Sequence, residues 1–230
     1  MAHNPHLAEA VQRLGADTAD TVAVVLHGRD QDADFMREHL LDRLPALPVG
    51  FLVPNAAGAS WYPGRFMDPL ETNEPWLTWT FERIGALVAE AVAGGVPESR
   101  VALVGFSQGA CAVLEYAARH PARYGAVIGL TGGLIGPPGT TWRGGPLART
   151  PVYLGTSDVD GWVPLPRVQE SATVLAERGA DVQLTVFEGM GHEICDEEVA
   201  AAARLLGTVA DFRHPNHDAG PGRSGSAIGW

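Results

Sequence analysis

One junction in the middle of the chain restricts the fold more than any other feature. Val101-Ala102-Leu103-Val104 is a short apolar run of the kind that fills a buried strand. Gly105-Phe106-Ser107-Gln108-Gly109 follows with no spacer, and residues 110–119 then read as helix. A strand that turns directly into a helix needs glycines flanking the turn, because the backbones approach closely there. The serine between them is left projecting above the strand's carboxyl end. As a bare pattern, Gly-x-Ser-x-Gly arises by chance in roughly one such chain in ten. The strand before it and the helix after it make it informative.

The rest of the chain repeats the same alternation. Strands are expected at 21–26, 50–53, 101–104, 126–130, 152–154 and 182–187, and helices at 33–44, 77–92, 108–120, 166–178 and 197–212. In the second helix Leu77, Phe81, Ile84, Val88 and Val92 share one face. Alternating strands and helices imply an α/β fold with a mostly parallel central sheet and helices on both faces. Functional sites in such sheets form at the carboxyl ends of the strands. Residues 1–20 read as an N-terminal extension and 21–212 as one domain. Residues 213–230, poor in apolar side chains, read as a disordered tail. Two irregular stretches stand out, 54–75 and the Gly- and Pro-rich 131–150.

Charge and composition remove several classes of function. A formal charge of −11 repels phosphate backbones, so no nucleic-acid partner is expected. All 16 basic residues are arginine. That excludes a Walker-A lysine, a lysine Schiff base and a Ser-Lys dyad. No apolar run is long enough to span a bilayer, and none at the N-terminus reads as a signal peptide. The two cysteines, Cys111 and Cys195, suggest neither a disulfide framework nor a metal site, so a cytoplasmic location is expected. A metal role for His214 and His217 is a weak alternative, and no metal is expected. A homodimer is compatible with the sequence, which sets no oligomeric state.

A serine hydroxyl becomes a useful nucleophile only beside a base that a carboxylate orients. On folds with this elbow the chain order is serine, acid, histidine. Of the histidines downstream of Ser107, His120 ends the helix after the elbow, and His214 and His217 lie in the polar tail. His192, in Gly189-Met190-Gly191-His192 just past the last strand, is the candidate base. Two aspartates compete as the acid after the strand at 152–154. Counting from Gly155 favours Asp158, and counting back from Val163-Pro164 favours Asp160. The other would form a turn with its own backbone. The helix that starts at Gln108 adds free N–H groups and a favourable dipole for an oxyanion.

Taken in order from Val22 to Leu206, these motifs resemble the small carboxylesterase/phospholipase family of α/β-hydrolases, which includes acyl-protein thioesterases. His27-Gly28, Gly105-Phe106-Ser107-Gln108-Gly109, Asp160-Gly161-Trp162-Val163-Pro164 and Gly189-Met190-Gly191-His192 carry the resemblance. It implies an α/β-hydrolase fold without a large lid domain and selects Asp160 as the acid. It also implies an oxyanion hole formed by the backbone N–H groups of Arg29 and Gln108. His27 is then expected to pack beneath the site. Where many relatives have a second glycine, this chain has Asp30. The Arg29 side chain reads either as a solvated surface group or as a contact for an anionic substrate. Trp61, Tyr62, Phe66, Trp76 and Trp162 are candidates for walls of a substrate pocket, with anchoring of the 54–75 loop to the core as the alternative. The chemistry implied is hydrolysis of a small-molecule ester without metal or organic cofactor. Thioester hydrolysis and non-catalytic binding are the rival readings.

Overall fold

The computed structural model describes residues 3–16 and 18–211. The expected tail, with His214 and His217, lies outside the described residues. Seven strands form one sheet: β1 (Val11–Gly15), β2 (Val22–Leu26), β3 (Gly50–Pro54), β4 (Val101–Phe106), β5 (Ala126–Leu130), β6 (Pro151–Ser157) and β7 (Asp181–Phe187). Their spatial order is β1-β3-β2-β4-β5-β6-β7. Every pairing is parallel except β1 with β3. Five α-helices accompany the sheet: α1 (Ala33–His39), α2 (Trp76–Ala93), α3 (Gln108–Arg119), α4 (Leu165–Glu177) and α5 (Asp196–Asp211).

The two-residue period of the strands sorts the core into two layers. Val24 and Leu26 of β2 and Leu103 of β4 point to the layer built with α2, α3 and α4. Ala23, Val25 and Val104 point to the opposite layer, where Met36, Leu40, Leu206 and Val209 of the α1 and α5 side meet them. All six residues of β4 are buried, which explains why its sequence is a continuous apolar run rather than an alternating one. Each fully buried Leu, Ile or Val side chain contributes about 1.5–3 kcal/mol.

Three expectations need correction. Residues 1–20 are not a mere extension. A 3-10 turn at Pro5–Ala8 leads into β1, which pairs with β3 from Val11↔Pro54 to Gly15↔Gly50. The helix expected at 33–44 stops at His39. Leu40 leaves the helical region at φ −126°, ψ −62°, and Leu41–Arg43 continue as a 3-10 turn. On α2, Leu77, Phe81, Ile84 and Val88 are buried as expected, but Val92 is 45% exposed and Ala91 takes its place. At about 100° per residue the buried stripe drifts, and by the last turn position 92 has left it.

Candidate active site

The elbow at the end of β4 is held in a costly conformation. Ser107 has φ 53° and ψ −117°, a left-handed φ that a side chain adopts at a cost of about 1–3 kcal/mol. Its backbone is pinned on both sides: Ser107 N–H donates to Leu130 O at 2.9 Å, and Ser107 O accepts from Cys111 N–H at 3.0 Å. Both flanking glycines are required. A Cβ on Gly105 would overlap the Gly109 carbonyl, and one on Gly109 would overlap the carbonyls of Leu26 and His27. That second contact brings the start of α3 against the end of β2.

Ser107, His192 and Asp160 come together from three loops at the carboxyl ends of β4, β7 and β6. His192 Nε2 lies 2.8 Å from Ser107 Oγ, and His192 Nδ1 lies 2.6 Å from Asp160 Oδ2. The Asp160 side chain is fully buried. Its other oxygen, Oδ1, accepts the backbone N–H groups of Trp162 at 2.7 Å and Val163 at 2.9 Å. Burial alone would raise this carboxyl. The bonds from His192, Val163 and Trp162 outweigh burial and hold it below the usual carboxylate range. The carboxylate is therefore charged and aimed at the ring. Asp158, the competing candidate, accepts Gly189 N–H at 2.8 Å and fastens the start of the loop that carries His192. The imidazole also packs against Phe106, with ring centroids 5.2 Å apart.

On the other side of Ser107 lies the end of β2. A Cβ on Gly28 would sit 2.7 Å from Gln31 Oε1, which accepts the Gly28 N–H, and 3.2 Å from Ser107 Cβ, so this turn runs close against the serine. The turn continues with Asp30 at φ 58°, its N–H bonded to Ala59 O at 2.8 Å. Among the described residues the N–H groups of Arg29 and Gln108 have no hydrogen-bond acceptor. His27 is fully buried under this turn. Its Nε2 accepts Ala56 N–H at 3.0 Å and its Nδ1 faces Gly28 O at 2.6 Å. That pattern requires the neutral ring protonated at Nδ1. Burial lowers its pKa and favours the same form.

The Arg29 side chain is exposed, as the surface reading expects, but it is not left to solvent alone. Its guanidinium donates to the carbonyls of Pro63 and Tyr62, both at 2.9 Å, and to that of Gly64. The Gln108 side chain, for which sequence reasoning finds no role, accepts Trp61 N–H at 2.9 Å and donates to Tyr62 O at 2.8 Å.

A cleft of about 850 Å³ opens above Ser107 and His192. Tyr62, Phe66 and Trp162 line it, with Met67, Val163 and Pro164. Trp162 is 70% exposed at the rim. Trp61 and Trp76 do not wall it, which corrects the expectation for both. Trp61 is fully buried, and its indole N–H donates to His27 O at 2.8 Å. Trp76 packs edge-on against His6 and Trp79. The Trp61 ring N–H thus ties the 54–75 segment to the core, while the Trp76 ring packs the first turn of α2 against the N-terminal 3-10 turn. Cys111 also lines the cleft and was not anticipated. It lies in the first turn of α3, where its N–H bonds the Ser107 carbonyl. Among the described residues no metal-ligating cluster exists and no helix is long and apolar enough to cross a membrane.

The phospholipase/carboxylesterase family model matches residues 15–210. A phospholipase/carboxylesterase structure from Dyadobacter fermentans superposes with a TM-score of 0.79 at 35% identity, covering 86% of this chain and 96% of that one. Acyl-protein thioesterase 1 of Saccharomyces cerevisiae is 24% identical over 80% of this chain and 90% of its own length. Acyl-protein thioesterase 1 of Neurospora crassa is 26% identical over 52% of this chain. The chain spans about half the length of several curated relatives it matches, 50% in the Neurospora case. Given the family match across most of its length and the sheet order described above, this chain belongs to the phospholipase/carboxylesterase family of α/β-hydrolases.

Proposed function

We propose that this protein hydrolyses carboxylic esters of small molecules through an acyl-enzyme on Ser107. The observation that carries the reading is the unbroken chain from Asp160 Oδ2 through His192 to Ser107 Oγ, at 2.6 Å and 2.8 Å, beside two backbone amides without acceptors. His192 takes the Ser107 proton as Oγ attacks the acyl carbon. Asp160 fixes the ring tautomer and stabilises the imidazolium. The N–H groups of Arg29 and Gln108 receive the negative oxygen of the tetrahedral intermediate. His192 then returns its proton to the leaving alcohol and activates the water that releases the acid. No step requires a metal or organic cofactor. The cleft lies within the roughly 300–1,000 Å³ usual for small ligands, and its Tyr62, Phe66 and Trp162 walls suit a short acyl or aryl group. Both cysteines are free, which agrees with the cytoplasmic setting we infer.

A second reading keeps the same three residues and changes the bond to a thioester. It is favoured by the yeast and Neurospora relatives, which are named acyl-protein thioesterases. A series of p-nitrophenyl esters of rising acyl length, run beside acyl-matched thioesters, tests both. Highest kcat/KM on short-chain esters is the expected result. A consistent preference for the matched thioesters transfers the proposal to the second reading. Absence of turnover on either series, by folded protein, leaves a binding function on the same fold.

A further inference from the structure

The two amides assigned to the oxyanion belong to residues far apart in sequence, yet their side chains converge on one short segment, residues 60–64. Gln108 reaches it from the first turn of α3. Its Oε1 accepts Trp61 N–H at 2.9 Å, and its Nε2 donates to Tyr62 O at 2.8 Å and to Ser60 Oγ at 3.2 Å. Arg29 reaches it from the turn after β2, donating to Tyr62 O and Pro63 O, both at 2.9 Å. Ser60 Oγ donates to the same Tyr62 carbonyl at 2.9 Å. That carbonyl is thus a hub with three donors, two of them from the residues whose backbone N–H groups are free. The segment is itself held down: Asn73 accepts Gly64 N–H at 2.7 Å and donates to Arg65 O at 2.9 Å, and the buried Trp61 indole bonds His27 O at 2.8 Å.

We propose that residues 60–64 are a brace for the oxyanion hole, and that the side chains of Gln108 and Arg29 are positioning groups that tie their own backbone amides to it. The proposal rests on the serine-hydrolase reading above. It follows from what an oxyanion hole needs. Its donors act only if they already point at the developing charge, and a displacement of about 1 Å can cost on the order of a hundredfold in rate. No regular-structure hydrogen bond holds the Arg29 amide, and the Gln108 amide sits at a helix start where no intrahelical partner exists. The shared carbonyl gives both a common reference. It also explains why Arg29, an exposed cation, has no carboxylate partner among the described ion pairs.

Arg29→Met, Gln108→Met and the double variant test this, with Arg29→Lys as the conservative control. Hydrolysis of p-nitrophenyl acetate and inhibition by a phenylboronic acid, which forms a tetrahedral adduct on the serine, are measured on each. End-point titration with a fluorophosphonate counts folded, competent sites, so a variant that misfolds is recognised. If Gln108→Met does not fold, Arg29→Met, with its exposed side chain, carries the test. We expect kcat to fall about 10- to 100-fold in each single variant with KM changed less than about twofold. Boronate affinity should fall in proportion to kcat/KM. The double variant should lose less than the product of the singles, because both ties serve one segment, and Arg29→Lys should recover part of the loss. Unchanged kcat and boronate affinity overturn the proposal. A rise in KM with kcat intact also overturns it, since the segment then only shapes the substrate pocket. Fully multiplicative losses refute the shared brace. Wild-type protein that takes no label at Ser107 refutes the hydrolase reading itself, and the brace with it.

Discussion

Glu198 offers a stability experiment whose size follows from its surroundings. The residue lies in the first turn of α5, and its side chain is fully buried. Oε2 accepts Cys195 N–H at 3.2 Å, closing the start of the helix just after the His192 loop. Oε1 has no hydrogen-bond partner among the described residues and faces Gly155 of β6, where a Cβ would collide with the carboxyl. Burial pushes the carboxyl from 4.5 up to about 7; the Cys195 N–H and the distant charge of Arg43 offset only part of this. The folded state therefore prefers the protonated form. The sign follows: this group is neutral in both states below about 4.5. As the pH rises toward 7 the unfolded chain ionises and the folded one resists, so stability is lost. At about 1.4 kcal/mol per pH unit, the loss between pH 4.5 and 8 is on the order of 3 kcal/mol. Glu198→Gln keeps the shape and the acceptor and cannot ionise. The difference in unfolding free energy between variant and wild type should therefore move by about 3 kcal/mol in the variant's favour from pH 4.5 to pH 8. In a domain of this size that is about 6–12 °C in Tm. Urea denaturation of both proteins across that range measures it, and the other titrating groups cancel in the difference. Parallel stability curves would refute the reasoning.

Four further substitutions have expected outcomes. Asp160→Asn should reduce kcat by about 10⁴-fold by releasing the His192 tautomer. Asp158→Ala should leave kcat within about tenfold and cost about 1 kcal/mol by removing the acceptor of Gly189 N–H; a loss of kcat comparable to that of Asp160→Asn would reverse the assignment. Glu115 is buried and accepts Arg119 Nε at 2.7 Å, Ile135 N–H at 2.9 Å and the Trp142 indole N–H at 2.9 Å. Glu115→Leu strands two N–H groups, so about 3 kcal/mol of stability should disappear and proteolysis should concentrate in residues 131–150. Trp61→Phe removes the bond to His27 O and part of a fully buried ring, and a loss of about 2–3 kcal/mol with unchanged acyl-length preference would show that this ring is an anchor and not a pocket wall.

The parts of this molecule that were legible in the sequence are those fixed by local chemistry. Gly105 and Gly109 are written into the chain because backbone passes where a Cβ would be, and β4 is a pure apolar run because both its faces are covered. His192 was found by order and by the glycines around it. Asp160 needed the family resemblance, since the two aspartates differ only in which part of the same loop they bond, one the ring and one the Gly189 amide. What remained hidden depends on distant partners. β1 contains Gln12 and Arg13 and is an edge strand, so nothing in its own residues separates it from an extended tail until β3 pairs with it. Trp61 and Trp76 read as pocket walls by type, yet the buried His6 and His27 claim them, and both histidines lie far off in sequence. The side chains of Gln108 and Arg29 carry no local signal because their acceptors are backbone carbonyls, which every residue possesses.

The unit formed by Ser107, His192 and Asp160 is tested most directly by reaction with a fluorophosphonate followed by peptide mass mapping. The expected result is one adduct per chain, on Ser107, formed quickly in wild-type protein, abolished in Ser107→Ala and slowed at least about a thousandfold in His192→Ala. Labelling elsewhere, or labelling of Ser107 at the same rate without His192, would contradict it.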